Sequence, residues 1–226
     1  MAKRKEDITE TLVNLDEISD SVTSYYDKYK NIILGVIGGL VVLIGGYYAY
    51  KNLYIGPKQA EAVKQMARAE QMCAKDSFDL ALSNPGGGFP GFKDIAAKYS
   101  GTNAGNVANY YAGVCLLKTG KAAEAVPYLE KFSPSGNMLP QMKASLLGDA
   151  YADQNNLEKA YSQYEKAAAA SNNEAVTPFV LMKMGMLAEK MGKNKEAAAA
   201  YQRIKDEYAT TGIGRNVDKY LYRVTE

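Results

Sequence analysis

A chain of 226 residues is longer than one ordinary domain and short of two, so a small extra part shares it with a domain of usual size. Lys and Arg number 27 against 25 Asp and Glu, a formal charge of +2, too balanced for a nucleic-acid footprint. There is no His, which removes the usual general base near neutral pH and the commonest transition-metal ligand. The composition therefore argues against an enzyme and suggests no catalytic, cofactor-binding or metal-ligating residues, while 18 Tyr against 5 Phe is an excess that needs an explanation.

Residues 1–31 read as an amphipathic tail. Ile8, Leu12, Leu15, Ile18, Val22, Tyr25 and Tyr29 recur at spacings of three and four, the stripe of a helix, with acidic residues between them. The stripe either docks on a protein neighbour or extends the next segment; 7 acids against 5 bases argue against adsorption to an anionic leaflet. Residues 32–50, IILGVIGGLVVLIGGYYAY, carry no charge, and 19 residues of helix at ~1.5 Å each match a bilayer's hydrocarbon core. This is a transmembrane helix candidate in contact with lipid. Its five glycines would cost a soluble helix about 1 kcal/mol each. Tyr25, Tyr26, Tyr29, Tyr47, Tyr48 and Tyr50 flank it with Lys28, Lys30 and Lys51, the pattern of interfacial aromatics and snorkelling lysines. The long leading segment and the missing A-x-A site make it an uncleaved signal anchor. Gly35 and Gly39 form G-x-x-x-G, with Gly46 along the same face, either a contact for another membrane helix or glycine that is common in spans. Five basic residues in the short tail favour a cytoplasmic N-terminus.

Residues 51–57 read as a linker ending at Gly56 and Pro57, and 58–226 as a helical array. Three stretches fall into one register: Ala112, Gly113, Leu116, Gly120, Ala125 and Leu129; then Leu147, Gly148, Tyr151, Asn155, Ala160 and Tyr164; then Met184, Gly185, Ala188, Gly192, Ala197 and Tyr201. Gly113, Gly148 and Gly185 stand 35 and 37 residues apart, against 34 for a tetratricopeptide repeat, which the pattern resembles. Repeats are placed at 106–139, 140–173 and 177–210. A second recurrence sets Phe92, Ile95, Tyr99, Thr102 and Gly105 against Tyr201, Ile204, Tyr208, Thr211 and Gly214. It implies a degenerate first unit over 58–105, with one long helix over 58–83 and a second over 92–99, and a capping helix within 213–226. The fold class expected is all-α, an N-terminal transmembrane helix followed by a right-handed tetratricopeptide-repeat solenoid.

Other features look like chemistry and are not. The loop NPGGGFPG over 84–91 lacks the G-K-[ST] and the preceding strand of a phosphate cradle. Cys73 and Cys115 read as buried free thiols or, in an oxidising compartment, a disulfide. In repeat arrays of this type the first helix of each repeat lines the concave groove. The register puts Val107, Tyr110, Val114 and Leu117 there from the first repeat, Met142, Ser145, Asp149 and Ala152 from the second, and Phe179, Met182 and Met186 from the third. Thioethers repack around varied shapes, so such a groove suits extended or unfolded segments; several of these side chains pack between repeats if the array is tighter. Family members that clamp a C-terminal carboxylate use Lys and Asn where this chain has Tyr110 and Val114.

Tail, span and array together resemble the YfgM-like family of single-span ancillary subunits of the bacterial SecYEG translocon. The segments that carry the resemblance are VTSYYDKYKN, GVIGGLVVLIGGYYAY and FKDIAAKYSGTNAGNVANYYAGV. It implies a bacterial inner-membrane protein with its N-terminus cytoplasmic and its repeats periplasmic. The implied partners are a SecYEG-type translocon, a periplasmic chaperone and unfolded client chains, and the role is chaperone-like scaffolding during protein transport. The longer tail, the NPGGGFPG loop and the better-formed repeats depart from that family. Two other readings stay open: an N-anchored receptor with cytosolic repeats, and an assembly platform for one stable protein partner.

Overall fold

The computed structural model describes residues 2–226, with side chains at 25, 26 and 28–226. All of the regular structure described is helical. The chain divides into two compact units, residues 1–56 and 57–226.

The first unit is α1 (Ala2–Tyr50) followed by one π-helical turn, Lys51–Ile55. Tail and apolar run thus share a helix, while the stripe Ile8, Leu12, Leu15, Ile18 and Val22 lies outside the described side chains. The apolar run is long enough to cross a membrane and none of it is buried by protein. Val42 and Leu43 are 73% and 70% exposed, a surface that lipid would cover and water would not tolerate. No heavy atom lies within 4 Å of a Cβ built on Gly35, Gly39 or Gly46, so that face is open. Tyr25 and Tyr29 pair at 5.6 Å, and Tyr50 stacks on Tyr54 at 5.4 Å, each four residues on. Residues 51–57, read as a linker, are helical instead. The Gly56 N–H reaches back to the Lys51 carbonyl, and this wider turn makes room for the Pro57 ring, which would otherwise press on the carbonyl one α-turn earlier.

The second unit begins with α2 (Gly56–Ala74), α3 (Phe78–Ser83) and α4 (Phe92–Lys98). The single helix expected over 58–83 is therefore broken. Asp76 turns left-handed at φ 55°, and the N–H groups of Lys75 and Ser77 close on the Met72 carbonyl; a short polar side chain tolerates that backbone. Three helix pairs follow: α5 (Asn103–Lys118) with α6 (Ala122–Lys131), α7 (Met138–Asp153) with α8 (Leu157–Ala170), and α9 (Thr177–Lys190) with α10 (Asn194–Glu207). Each helix from α4 onward packs chiefly on its neighbours in the chain, most closely within each pair, as in a solenoid. A 3₁₀ turn, Gly214–Asn216, and α11 (Asp218–Thr225) divide the capping helix expected within 213–226.

The register expected from the sequence has a structural cause at each position. Gly120, Asn155 and Gly192 all have positive φ, at 71°, 57° and 72°. Each is followed by an N–H that returns to a carbonyl five residues back: Lys121 to Leu116, Asn156 to Tyr151, Lys193 to Ala188. These are three copies of one left-handed helix stop, which only Gly or Asn adopts cheaply. A Cβ on Gly113 would overlap Leu129, on Gly148 the Tyr164 ring, and on Gly185 the Tyr201 ring. The missing side chain is what lets the paired helices close. The second recurrence is equally physical. Thr102 Oγ1 bonds the Tyr99 carbonyl at 2.7 Å and accepts from the Gly105 N–H at 3.0 Å; Thr211 does the same with Tyr208 and Gly214 at 2.8 and 3.0 Å. Buried residues form two clusters, one from Ala62 to Leu147 and one from Ala160 to Val217, and α7 contributes side chains to both.

Candidate functional site

The first helices of the three pairs bring one cleft together. Its walls are Val114, Leu117 and Lys118 of α5, Leu146, Asp149, Ala152 and Asp153 of α7, and Lys183 of α9, enclosing about 540 Å³. Apolar side chains hold one side and a charged pair the other: Lys183 Nζ sits 2.8 and 2.7 Å from the two oxygens of Asp149. The Tyr164 hydroxyl, from α8, donates to Asp149 Oδ1 at 2.7 Å. Burial, and then the Asp149 carboxylate, push the Tyr164 hydroxyl far above the usual tyrosine range, so it stays a donor. Asp149 is thus fixed from both sides, and Lys118 and Asp153 set one further charge of each sign on the rim. The cleft favours apolar contact with a neutral polar edge.

The sequence-selected residues divide by place. Val114, Leu117, Asp149 and Ala152 line the cleft. On α9, Phe179 and Met186 are 59% and 50% exposed, and Met182 is half-buried against the second cluster. Met142 on α7 is half-buried, and Ser145 is buried. Val107 packs against the first cluster. Tyr110 lies against Phe132 at 5.3 Å and Tyr111 at 5.6 Å, so most of its ring faces protein. Leu146 and Lys183 escaped the sequence reading. Lys183 stands 34 residues after Asp149, one repeat on, which was the available signal.

A larger polar basin of about 790 Å³ lies by the start of α5. Asn106 exchanges two hydrogen bonds with Ser133, at 2.8 and 2.7 Å, and Lys93 pairs with Glu124 at 3.1 Å. These polar groups satisfy one another, which makes the basin a joint between helices.

The third pair repeats the tyrosine arrangement with a different outcome. The Tyr201 hydroxyl, above Gly185, donates to Glu189, which also accepts from Arg223 of α11 at 2.8 Å. Burial alone would raise the Glu189 carboxyl, but the bonds from Arg223 and Tyr201 outweigh it and hold it below the usual range. Tyr220 lies 5.6 Å from the Tyr201 ring. This junction ties α11 over the end of the array.

Two family models described as tetratricopeptide repeat match the chain, one over residues 145–174 and one over 179–211. The matched segments hold most of α7 and α8, then most of α9 and α10. No curated protein and no solved structure matches the chain. The protein carries tetratricopeptide repeats, modules that bind protein partners and are typically non-enzymatic; no catalytic family is indicated.

Proposed function

We propose that this protein is a membrane-anchored scaffold that holds extended, apolar polypeptide segments in the cleft between α5, α7 and α9. The observation that supports it best is the cleft itself: Val114, Leu117 and Leu146 form an apolar wall, and Phe179 and Met186 stand exposed on the neighbouring helix. Residues 32–50 anchor it in a bilayer, and Gly35, Gly39 and Gly46 offer close approach to another membrane helix. In the finer reading, taken from the resemblance, the N-terminus is cytoplasmic and the repeats are periplasmic. There the protein stands beside a SecYEG-type translocon and a periplasmic chaperone and meets emerging secreted chains.

The test is site-specific photocrosslinking in membranes from Val114, Leu146 and Met186 during secretion of a marked client. Crosslinks to the unfolded client from these positions, and none from exposed Lys166 on α8, support the reading. Crosslinks to a single folded protein would replace it with an assembly platform. A reporter fused after Glu226 that is active only in the cytosol would move the repeats to the other side and favour an import-type receptor.

A further inference from the structure

The chain has two cysteines, 42 residues apart in sequence, on helices that are not consecutive in the chain. The fold brings them to one place. Cys115, in the last turn of α5, is part of the first core cluster and fully buried; Cys73, in the last turn of α2, packs against that cluster and is partly exposed. Both thus belong to one packed cluster, where each thiol bears on the ionisation of the other. There is no third cysteine to compete.

We propose that Cys73 and Cys115 are a disulfide-forming site that clasps α2 to α5 when the domain meets a disulfide-bearing oxidant. Exposure sets the order of events. The Cys73 thiolate attacks a sulfur of the oxidant R–S–S–R, giving a Cys73–S–S–R mixed disulfide and releasing one RSH. Cys115 then attacks Cys73 Sγ, the S–S bond between Cys73 and the oxidant's remaining sulfur breaks, and the second RS⁻ leaves with the Cys115 proton. One S–S bond is exchanged for another, and two electrons and two protons pass to the oxidant.

The surroundings fit a structural bond better than a fast redox sensor. Sensor cysteines sit in electropositive sites that favour the thiolate. Here burial, then contact with Cys73, push the Cys115 thiol up to about 12, with Asp79 adding to the shift. Burial also raises Cys73, outweighing the lowering influence of Cys115, and Asp76 and Glu70 add to the rise. Attack on the oxidant is therefore slow unless catalysed, and the finished bond lies with Cys115 out of reach of reductant.

The test uses the full chain in detergent micelles, with oxidised glutathione as the probe. After acid quenching and denaturation, thiols are counted with a maleimide mass tag. The oxidised chain should take no tag, the reduced chain two, and the joined peptides should weigh less by two hydrogens. Cys115→Ser should stop at a glutathione adduct on Cys73, whereas Cys73→Ser should leave Cys115 unmodified in the folded chain. Closing a loop of this length should raise the melting temperature by roughly 8–16 °C. Two tags on the oxidised chain, a disulfide-linked dimer as the main product, or oxidised and reduced chains that melt together would overturn the proposal.

Discussion

Substituting Gly105 by Ala tests whether the junction between α4 and α5 is set by backbone contact. A Cβ built on Gly105 falls inside the van der Waals envelope of the Tyr99 carbonyl oxygen. That oxygen cannot swing aside, because it accepts from Thr102 N at 3.1 Å and Thr102 Oγ1 at 2.7 Å. Overpacking against a fixed group costs about 1–3 kcal/mol, and dragging Thr102 from its cap on the Gly105 N–H costs about 1 kcal/mol more. Against this, Ala gains at most about 1 kcal/mol in helix propensity, and less in a first turn. The balance is a loss of about 2 kcal/mol, or roughly 4–8 °C in melting temperature for a domain of this size. Gly148→Ala tests the helix crossing in the same way: its Cβ would overlap the Tyr164 ring, which is buried and tied to Asp149, so it too should cost about 1–3 kcal/mol. Thermal unfolding by far-ultraviolet circular dichroism, in detergent, measures both variants. If either variant melts with or above the parent, the reasoning fails.

Three further outcomes follow from the same contacts. Thr211→Val removes the second copy of the cap and should cost about 1 kcal/mol, seen as faster hydrogen exchange in α11 while α5 is unchanged. Because the folded Glu189 carboxyl lies below its ordinary range, the stability it contributes is full above the unfolded value of about 4.3 and is lost as pH falls through the folded value; α11 should loosen on acidification, and Glu189→Gln should flatten that acid limb in hydrogen exchange between about pH 3 and 5. Leu146→Lys places a charge in the apolar wall of the cleft and should weaken crosslinking to unfolded clients several-fold, with circular dichroism checking that the variant keeps its helices.

The repeats were legible because their signals are stereochemical. Gly120, Asn155 and Gly192 advertise a left-handed stop, and Gly113, Gly148 and Gly185 advertise a close crossing; neither requirement depends on distant sequence. Part of the tyrosine excess resolves in the same way: Tyr164 and Tyr201 cover Gly148 and Gly185 and send their hydroxyls to Asp149 and Glu189. What stayed hidden depends on tertiary placement. Tyr110 occupies a groove position by register, yet its ring turns to Phe132, a residue of the loop after α6 that no helical period could bring there. The π-helical turn before Pro57 was equally invisible, since Gly-Pro is also the commonest mark of a break.

The cysteine pair bears on the one question that charge counting answers poorly. Five basic residues precede the span, but Lys51, Lys58 and Lys64 follow it closely, so the positive-inside bias is shallow. Thiol state is a sharper measure, because disulfides persist in the periplasm and are kept reduced in the cytosol. If the repeats are periplasmic, cells quenched directly in acid should yield a chain that takes no maleimide tag before reduction and two tags after it. If they are cytosolic, the same cells should yield two tags at once, from a chain whose purified form still oxidises with glutathione. The in-cell and purified experiments thus fail separately: loss of pairing in both refutes the site, whereas loss in cells alone refutes the periplasmic placement and with it the contact with emerging secreted chains.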